Sequence, residues 1–222
     1  MSLVFPPLYA IIDSALLKTS ELSFAEMMAE SGVELLQYRN KRATSRELFD
    51  VSRTISARLA RSSASRASVV RFIMNDRADI ALLAKANGVH VGQLDLGVED
   101  ARAIVGPDAW VGVSTHSLEQ MDAADKTSAD YIAFGPVFPT LSKENPDPVV
   151  GLELLREARK HTRKPLVAIG GITLERAADT FRAGADSLAV ARDLIASSDP
   201  AERAREFLSE ASRSRRLPGA PD

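Results

Sequence analysis

The amino-acid sequence predicts an α/β protein folded as a single (β/α)8 barrel, also called a TIM barrel. Short apolar, β-branched runs alternate along the chain with longer stretches of helical periodicity. Several short runs, such as YIAFG and LVAIGG, are apolar almost throughout, which is typical of strands buried on both faces in a parallel sheet. About eight strand–helix units fit into the 222 residues, close to the lower size limit of such a barrel.

The predicted strands are short and rich in Val, Ile, Leu and Phe. They span residues 8–12, 34–38, 69–74, 88–91, 110–113, 131–134, 166–169 and 187–190. The predicted helices carry apolar residues on one face, as at Leu152, Leu155 and Ala158, and charged residues on the other. They span residues 24–31, 45–61, 76–86, 98–105, 118–127, 151–161, 174–183 and 201–212, with a short extra helix over 193–196.

The predicted domain organisation is one catalytic barrel over residues 1–212 and a flexible tail over 213–222. The tail has a basic cluster followed by Pro and Gly, which is typical of a frayed, solvated chain end. An open doubly wound sheet is the alternative architecture. It is less favoured because no G-x-G-x-x-G turn follows the first strand, where the sequence reads YAIIDSALLK.

The composition excludes several classes of function. The chain has no cysteine, which excludes disulfides, thiolate catalysis and Cys-ligated zinc. With 28 basic and 30 acidic side chains and a net charge of −2, we expect no nucleic-acid partner. No apolar run approaches the roughly 18 residues of a membrane span, and the N-terminus lacks the basic start of a signal peptide. We expect a cytoplasmic protein with no membrane partner; its oligomeric state stays open, a homo-oligomer included.

Polar residues gather at the carboxyl ends of the predicted strands, which is where the active sites of (β/α)8 barrels lie. The set comprises Asp13, Gln37, Arg39, Lys41, Asn75, Asp76, His90, Gln93, Asp95, Ser114, His116, Thr140, Ser142, Lys143, Gly170, Gly171 and Arg192. Each residue has an ordinary structural explanation when it is taken alone. Their concentration at one pole of a single fold predicts a functional site there.

The sequence QYRNK places Gln37, Arg39 and Lys41 on one face of an extended strand. Two neighbouring cations at the barrel mouth favour a multiply charged anion, because Arg offers a planar fork to phosphate oxygens and Lys a compact charge. A solvated strand end is the alternative interpretation.

Asp76 and Asp95 follow the third and fourth predicted strands. Each could cap a helix or stabilise a turn. Two carboxylates beside Arg39 and Lys41 at an anionic site are better explained by a bridging cation. Mg²⁺ takes one or two carboxylates together with substrate phosphate oxygens and water, so we expect Mg²⁺ as the cofactor.

A proline-rich loop over residues 136–148 has the length of a lid or binding loop. Its residues Thr140, Ser142 and Lys143 could contact phosphate oxygens as the loop closes. A solvated surface loop is the alternative.

Gly170 and Gly171 end the seventh predicted strand, and Ala191 and Arg192 end the eighth. The loops after these two strands often form the phosphate site of a barrel through backbone N–H groups. Close helix–strand packing, which also requires glycine, is the alternative.

Taken in order, these segments resemble the thiamine-phosphate synthase family over about residues 8–196. The motifs that carry the resemblance are YAIID near the start, Q-x-R-x-K at 37–41, MNDRADIALLAKANGVHVGQLDL at 74–96, VGVSTHS at 111–117, FGPVFPTLSK at 134–143 and AIGGI at 168–172. The resemblance implies a TIM-barrel transferase. Its reaction condenses 4-amino-2-methyl-5-hydroxymethylpyrimidine diphosphate with hydroxyethylthiazole phosphate, or the 2-carboxy precursor, giving thiamine phosphate and pyrophosphate.

The resemblance also implies a role for individual residues. The pyrimidine diphosphate would be held by Gln37, Arg39, Lys41 and Asn75, Mg²⁺ by Asp76 and Asp95, the leaving pyrophosphate by Ser114 and Lys143, and the thiazole phosphate by Thr140, Ser142, Gly171, Ala191 and Arg192. Of these, Arg39, Ser114 and Lys143 would act in catalysis. The sequence departs from the family at Asn40 and Leu94, where acidic residues are usual, and at Arg192, where Ser is usual. The last departure puts the affinity for the thiazole phosphate in question.

Two other functions fit the same barrel. A thiazole tautomerase-like isomerase would bind the thiazole phosphate alone and need no metal, so the Asp76/Asp95 pair argues against it. His116, which follows the fifth predicted strand, keeps this alternative open because His is the usual acid–base residue near neutral pH. The other alternative is a non-catalytic barrel that binds a phosphorylated ligand without turnover.

Overall fold

Eight parallel strands form a closed barrel in sequence order in the computed structural model, which describes residues 5–63, 69–140 and 147–214. The strands are β1 (Leu8–Asp13), β2 (Leu35–Arg39), β3 (Arg71–Asn75), β4 (Gly88–Val91), β5 (Trp110–Thr115), β6 (Tyr131–Phe134), β7 (Leu166–Ile169) and β8 (Ser187–Val190). Because β1 pairs with both β2 and β8, the sheet has no free edge. The predicted (β/α)8 barrel is confirmed.

Helices follow the strands along the chain and pack outside the barrel. They are α1 (Glu21–Glu30), α2 (Ser45–Ser63), α3 (Ala78–Leu83), α4 (Val98–Val105), α5 (Leu118–Asp125), α6 (Gly151–His161), α7 (Leu174–Arg182), α8 (Arg192–Ile195) and α9 (Pro200–Ser214). Serine caps fix two of the starts. Ser20 Oγ accepts the N–H of Ser23 before α1, and Ser117 Oγ accepts the N–H of Gln120 before α5.

The prediction that a helix opens at Asp76 is wrong. Asp76 has φ +62° and Lys85 has φ +56°, and residues in this left-handed region cannot continue a right-handed helix. The helix α3 is therefore confined between them, at Ala78–Leu83. The N–H of Asp76 instead donates to the carbonyl of His90 at 2.8 Å, which fixes Asp76 at the end of the sheet.

Strand alternation divides the core into two layers. On β1, Leu8, Ala10 and Ile12 face the helices, whereas Tyr9 and Ile11 belong to the cluster inside the barrel. The residues inside are few and bulky, so the barrel is filled with side chains and is not a channel.

Aromatic packing closes the end of the barrel where the strands begin. Phe5 stacks on Trp110 with 5.2 Å between ring centroids, and the Arg71 guanidinium lies 4.1 Å from the Trp110 ring centroid. Trp110 and Arg71 are the first residues of β5 and β3. The polar strand ends therefore lie at the opposite pole.

A methyl group at Gly112 is expected to disrupt the barrel interior. A Cβ at this position would lie 2.0 Å from the buried ring of Tyr131. We expect Gly112→Ala to lower the free energy of unfolding in urea by about 1–3 kcal/mol, the usual cost of overpacking. Gly97→Ala is the control, because its Cβ would meet only the flexible Asp100 side chain, at 3.3 Å. Equal effects of the two changes would show that Tyr131 can move aside.

The last helix extends beyond the predicted domain boundary at residue 212. It ends at Ser214, so Arg213 and Ser214 belong to α9 and not to the predicted tail; residues 215–222 lie outside the described part. Over the described ranges, no helix is both long and apolar enough to cross a membrane.

Candidate active site

The predicted anion-binding residues of β2 lie at the expected pole, but each has a different environment. Gln37 is buried inside the barrel, and its amide Nε2 donates to the Tyr9 hydroxyl at 2.7 Å. Arg39 ends β2 and donates from Nη1 to Asp13 Oδ2 at 2.6 Å. Lys41 lies beyond the strand, with Nζ 3.1 Å from Asp76 Oδ2. At the barrel mouth, Arg39 therefore faces the carboxylate of Asp13, and Lys41 faces that of Asp76.

The buried carboxylate that holds Arg39 is a residue whose role the sequence left open. Asp13 is only 3% exposed, and its second oxygen accepts the N–H of Ala15 at 3.1 Å. With both oxygens bonded, the carboxylate has a fixed orientation, and it fixes one edge of the Arg39 guanidinium in turn.

Asp76 and Asp95, predicted as metal ligands, lie beside each other. Burial and then the negative charge of Asp95 raise the pKa of Asp76, whereas the ammonium of Lys41 opposes that rise. One Asp95 oxygen accepts the N–H of Gly92 at 2.8 Å, which orients its carboxylate. Two close carboxylates are a donor set suited to a divalent cation.

Asp76 and Asp95 have no third ligating side chain arranged with them as a metal-binding group among the described residues. Within those ranges no group of three or more His, Cys, Asp or Glu side chains is spaced to hold a metal. A cation here would take its other ligands from substrate oxygens and water, which is how Mg²⁺ is usually bound in proteins. The residues present fit Mg²⁺ better than a metal that needs a complete protein cage.

Ser114, near the end of β5, is connected to the barrel interior through a histidine. Its Oγ lies 2.9 Å from His90 Nε2, and the other ring nitrogen of His90 lies 3.1 Å from the Tyr131 hydroxyl. The Ser114 carbonyl accepts from Gln93 Nε2 at 2.7 Å. His90 is therefore a buried residue with both ring nitrogens in hydrogen-bond contact.

Tyr9 and Tyr131 are not among the site residues predicted from the sequence, although, together with His90, they connect two of those predicted residues, Gln37 and Ser114. Their hydroxyls lie 2.9 Å apart inside the barrel. A tyrosine in a buried strand needs a partner for its hydroxyl, and this was the one signal in the sequence that could have found them.

Asn75 is the last residue of β3 and directly precedes Asp76. It pairs in register with His90 of β4, so it lies at the same pole. Thr140 belongs to the predicted lid loop and is the last described residue before the gap at 141–146. The predicted site residues Ser142 and Lys143 lie within residues 141–146, outside the described part of the chain.

Gly170 and Gly171 bring the loop after β6 against the end of β7. A Cβ at Gly170 would lie 2.4 Å from Pro136, and one at Gly171 would lie 2.4 Å from the Pro139 carbonyl. Both glycines have positive φ values, of +93° and +63°. Close packing against this loop, and not the helix–strand packing considered from the sequence, accounts for both glycines. A phosphate role for Gly171 stays a prediction.

Ala191 and Arg192 begin the short extra helix, which spans Arg192–Ile195 and not 193–196 as predicted. The first of them is its N-cap, directly after β8. The predicted pole thus includes both residues.

Both ring nitrogens of His116 face residues at the ends of the predicted lid loop. Its Nδ1 lies 2.5 Å from the carbonyl of Gly135, and because a carbonyl only accepts, Nδ1 carries the proton. Its Nε2 lies 3.4 Å from Asp147 Oδ2. One imidazole therefore contacts Gly135, which precedes the predicted loop, and Asp147, which lies near the end of that loop.

The fold and this mouth define a (β/α)8-barrel enzyme. The family model of thiamine monophosphate synthase matches residues 8–194, and the chain belongs to this family. A thiamine-phosphate synthase of Koribacter versatilis (strain Ellin345) is 49% identical over 211 residues, covering 93% of this chain and 96% of the relative. One of Methanospirillum hungatei JF-1 is 39% identical over 201 residues, covering 90% and 95%. The solved thiamine phosphate pyrophosphorylase of Pyrococcus furiosus superposes with a TM-score of 0.82 at 32% identity, covering 94% of this chain and 96% of that one.

Proposed function

We propose that the chain condenses the pyrimidine diphosphate with hydroxyethylthiazole phosphate to give thiamine phosphate and pyrophosphate, or with its 2-carboxy precursor to give the same products and CO2. The observation that carries the proposal is the neighbouring Asp76 and Asp95 carboxylates at a mouth that also holds Lys41 and Arg39. Family membership supports the same reaction. Both substrates are small phosphorylated molecules, and we take the cytoplasm as their location.

Each substrate has its own group of residues in this proposal. The assignment gives the pyrimidine diphosphate to Gln37, Arg39, Lys41 and Asn75, the leaving pyrophosphate to Ser114 and Lys143, and the thiazole phosphate to Thr140, Ser142, Gly171, Ala191 and Arg192. For Ser142 and Lys143 the support is the resemblance alone. Arg192 brings a cation where the family usually has Ser, which suits a phosphate reached through backbone N–H groups.

Asp76 and Asp95 are the proposed ligands of Mg²⁺. The raised pKa of Asp76 has burial and a like charge as its causes, and a divalent cation relieves both by pairing with the two carboxylates. When bound, the ion neutralises the developing charge of the diphosphate leaving group.

The proposed mechanism is dissociative, so the protein has little proton transfer to perform. The C–O bond to the diphosphate breaks first, and the pyrimidine's own amino group stabilises the methylene cation that remains. The thiazole nitrogen then attacks and forms the C–N bond. Arg39, held by Asp13, and the Ser114 hydroxyl bind the oxygens of the departing group, so that positioning and charge stabilisation provide the rate.

The isomerase alternative depended on His116. Both ring nitrogens of His116 already face partners on the loop, Gly135 and Asp147. The relatives compared above are all synthases, and none of these observations favours the isomerase.

Pyrophosphate release from the two substrates together tests the proposal. We expect release only when both substrates are present, and removal of Mg²⁺ by a chelator should slow it at least about tenfold. Release is measured with a coupled phosphate assay, and thiamine phosphate by chromatography. Metal-independent turnover of the thiazole phosphate alone would instead establish the isomerase, and binding of both substrates without release would establish a non-catalytic barrel.

A further inference from the structure

A continuous line of hydrogen bonds crosses the inside of the barrel and connects two proposed substrate-binding residues. Gln37 Nε2 lies 2.7 Å from the Tyr9 hydroxyl, which lies 2.9 Å from that of Tyr131. The line continues over 3.1 Å to His90 Nδ1, and over 2.9 Å from His90 Nε2 to Ser114 Oγ. Five side chains from five different strands thus form one buried chain.

The amide of Gln37 sets the donor-to-acceptor direction of this hydrogen-bond chain. An amide nitrogen only donates, so the Tyr9 oxygen accepts from Gln37. Burial raises the pKa of both phenols above its ordinary value, so each keeps its proton. The Tyr9 proton is directed to Tyr131, because a buried hydroxyl with no acceptor is costly.

The same reasoning determines which nitrogen of His90 carries the proton. With its oxygen already accepting from Tyr9, Tyr131 directs its own proton at His90 Nδ1. A proton on Nδ1 would oppose it. The ring proton therefore belongs on Nε2, from which it donates to Ser114 Oγ.

We propose that His90 is a positioning residue, which donates from Nε2–H to Ser114 and so leaves the Ser114 hydroxyl proton directed outward, at an oxygen of the diphosphate. With the opposite direction, Ser114 would donate inward and present lone pairs to an anion. A donor aimed at developing negative charge accelerates the reaction, and an acceptor in the same place opposes it. The inference rests on the proposed function for the identity of the anion.

The direct test is the protonation of His90 in the free protein. Labelling of the three histidines with nitrogen isotopes gives separate NMR shifts for protonated and unprotonated ring nitrogens, and a His90→Gln spectrum assigns the His90 signals. We expect the proton on Nε2 and none on Nδ1. A proton on Nδ1 overturns the inference. Because no substrate is added, this result does not depend on whether the chain releases pyrophosphate.

The kinetic test interrupts the hydrogen-bond chain at Tyr131, which is not a proposed substrate contact. Tyr131→Phe removes the hydroxyl that sets the His90 proton, and we expect kcat for pyrophosphate release to fall about tenfold or more, with KM for the pyrimidine diphosphate changing less than about threefold. Tyr131→Phe alone leaves the Tyr9 hydroxyl without its acceptor. Tyr9→Phe/Tyr131→Phe removes both hydroxyls together, and we expect the same kcat as in Tyr131→Phe.

A double-mutant cycle separates positioning from a general structural effect. If the phenol acts through Ser114, then adding Tyr131→Phe to Ser114→Ala should lower kcat by no more than about twofold further. An additive loss in the double variant would mean that Tyr131 supports the barrel and not the hydroxyl of Ser114. Absence of activity in the unaltered protein would refute the proposed function and leave the NMR result standing.

Discussion

Asp76→Asn is expected to slow pyrophosphate release by about 10³-fold and yet to stabilise the metal-free protein. The loss follows because a metal supplies several kcal/mol of charge stabilisation in such reactions, and a factor of ten costs about 1.4 kcal/mol. The gain follows because the Asp76 carboxylate is partly buried beside Asp95. Asparagine removes that charge and tolerates the left-handed φ of +62°. Kinetics with both substrates and urea unfolding in chelator measure the two effects.

The difference in the free energy of unfolding between Asp76→Asn and the unaltered protein should increase with pH. The pKa of Asp76 is raised in the folded state, so the folded protein binds this proton more tightly than the unfolded chain. The stability of the protein with Asp76 therefore falls as pH rises from the unfolded value of about 3.9 through the raised value. The advantage of Asp76→Asn should be absent in acid and reach about 1 kcal/mol above that range, which is the repulsion between two unit charges about 4 Å apart in water.

Asp79→Asn is the matched control, since it removes one negative charge from the same region. Asp79 pairs with Arg77, whose side chain lowers the pKa of Asp79. The control should therefore lose stability, by less than about 0.5 kcal/mol because the pair is solvated, and keep its activity. Added Mg²⁺ should raise the unfolding midpoint of the control and not that of Asp76→Asn. Equal stabilisation of both by Mg²⁺ would place the metal elsewhere.

Much of this fold could be predicted from local pattern. The strands that begin at Gly88, Tyr131, Leu166 and Ser187 have the bounds predicted from their apolar runs. A parallel barrel buries both faces of each strand, so the apolar run continues along the whole strand. The start of α3 could not be predicted this way. Asn and Asp are favoured both as helix caps and in the left-handed region, and only the contact of Asp76 with His90 distinguishes the two.

The sequence predicts at which end of the barrel the candidate site lies, but it does not predict which side chains contact one another there. Strand order alone brings Asp76, Asp95 and Lys41 to one end of the barrel. The hydroxyl contact between Tyr9 and Tyr131, by contrast, joins residues 122 positions apart, and no local periodicity encodes such a pair. Contacts across the barrel interior depend on side-chain length and on the glycine at position 112, which makes room for the Tyr131 ring.

Asp13→Asn is expected to lower kcat/KM about 100-fold although Asp13 faces Arg39 and not a proposed substrate position. The substitution keeps the shape of the side chain but turns an amide N–H toward the Arg39 guanidinium, where Oδ2 now accepts at 2.6 Å. Displacement of a positioning group by about 1 Å can cost this much in rate. The free energy of unfolding should also fall, by about 1.5–3 kcal/mol, because a buried hydrogen bond to a charged group is lost.

Asp50→Asn distinguishes this effect from a simple change in net charge. Asp50 is half exposed and lies 3.7 Å from Arg53 on the outside of α2, so its loss should change stability by less than about 0.5 kcal/mol and leave kcat/KM unaltered. In Asp13→Asn, the loss should appear with the pyrimidine diphosphate varied and Mg²⁺ saturating, since Arg39 is proposed to bind the diphosphate and not the metal. If Asp13→Asn were destabilised as expected but retained kcat/KM within about threefold, the ion pair would support the barrel alone, and Arg39 would lose its proposed role in catalysis.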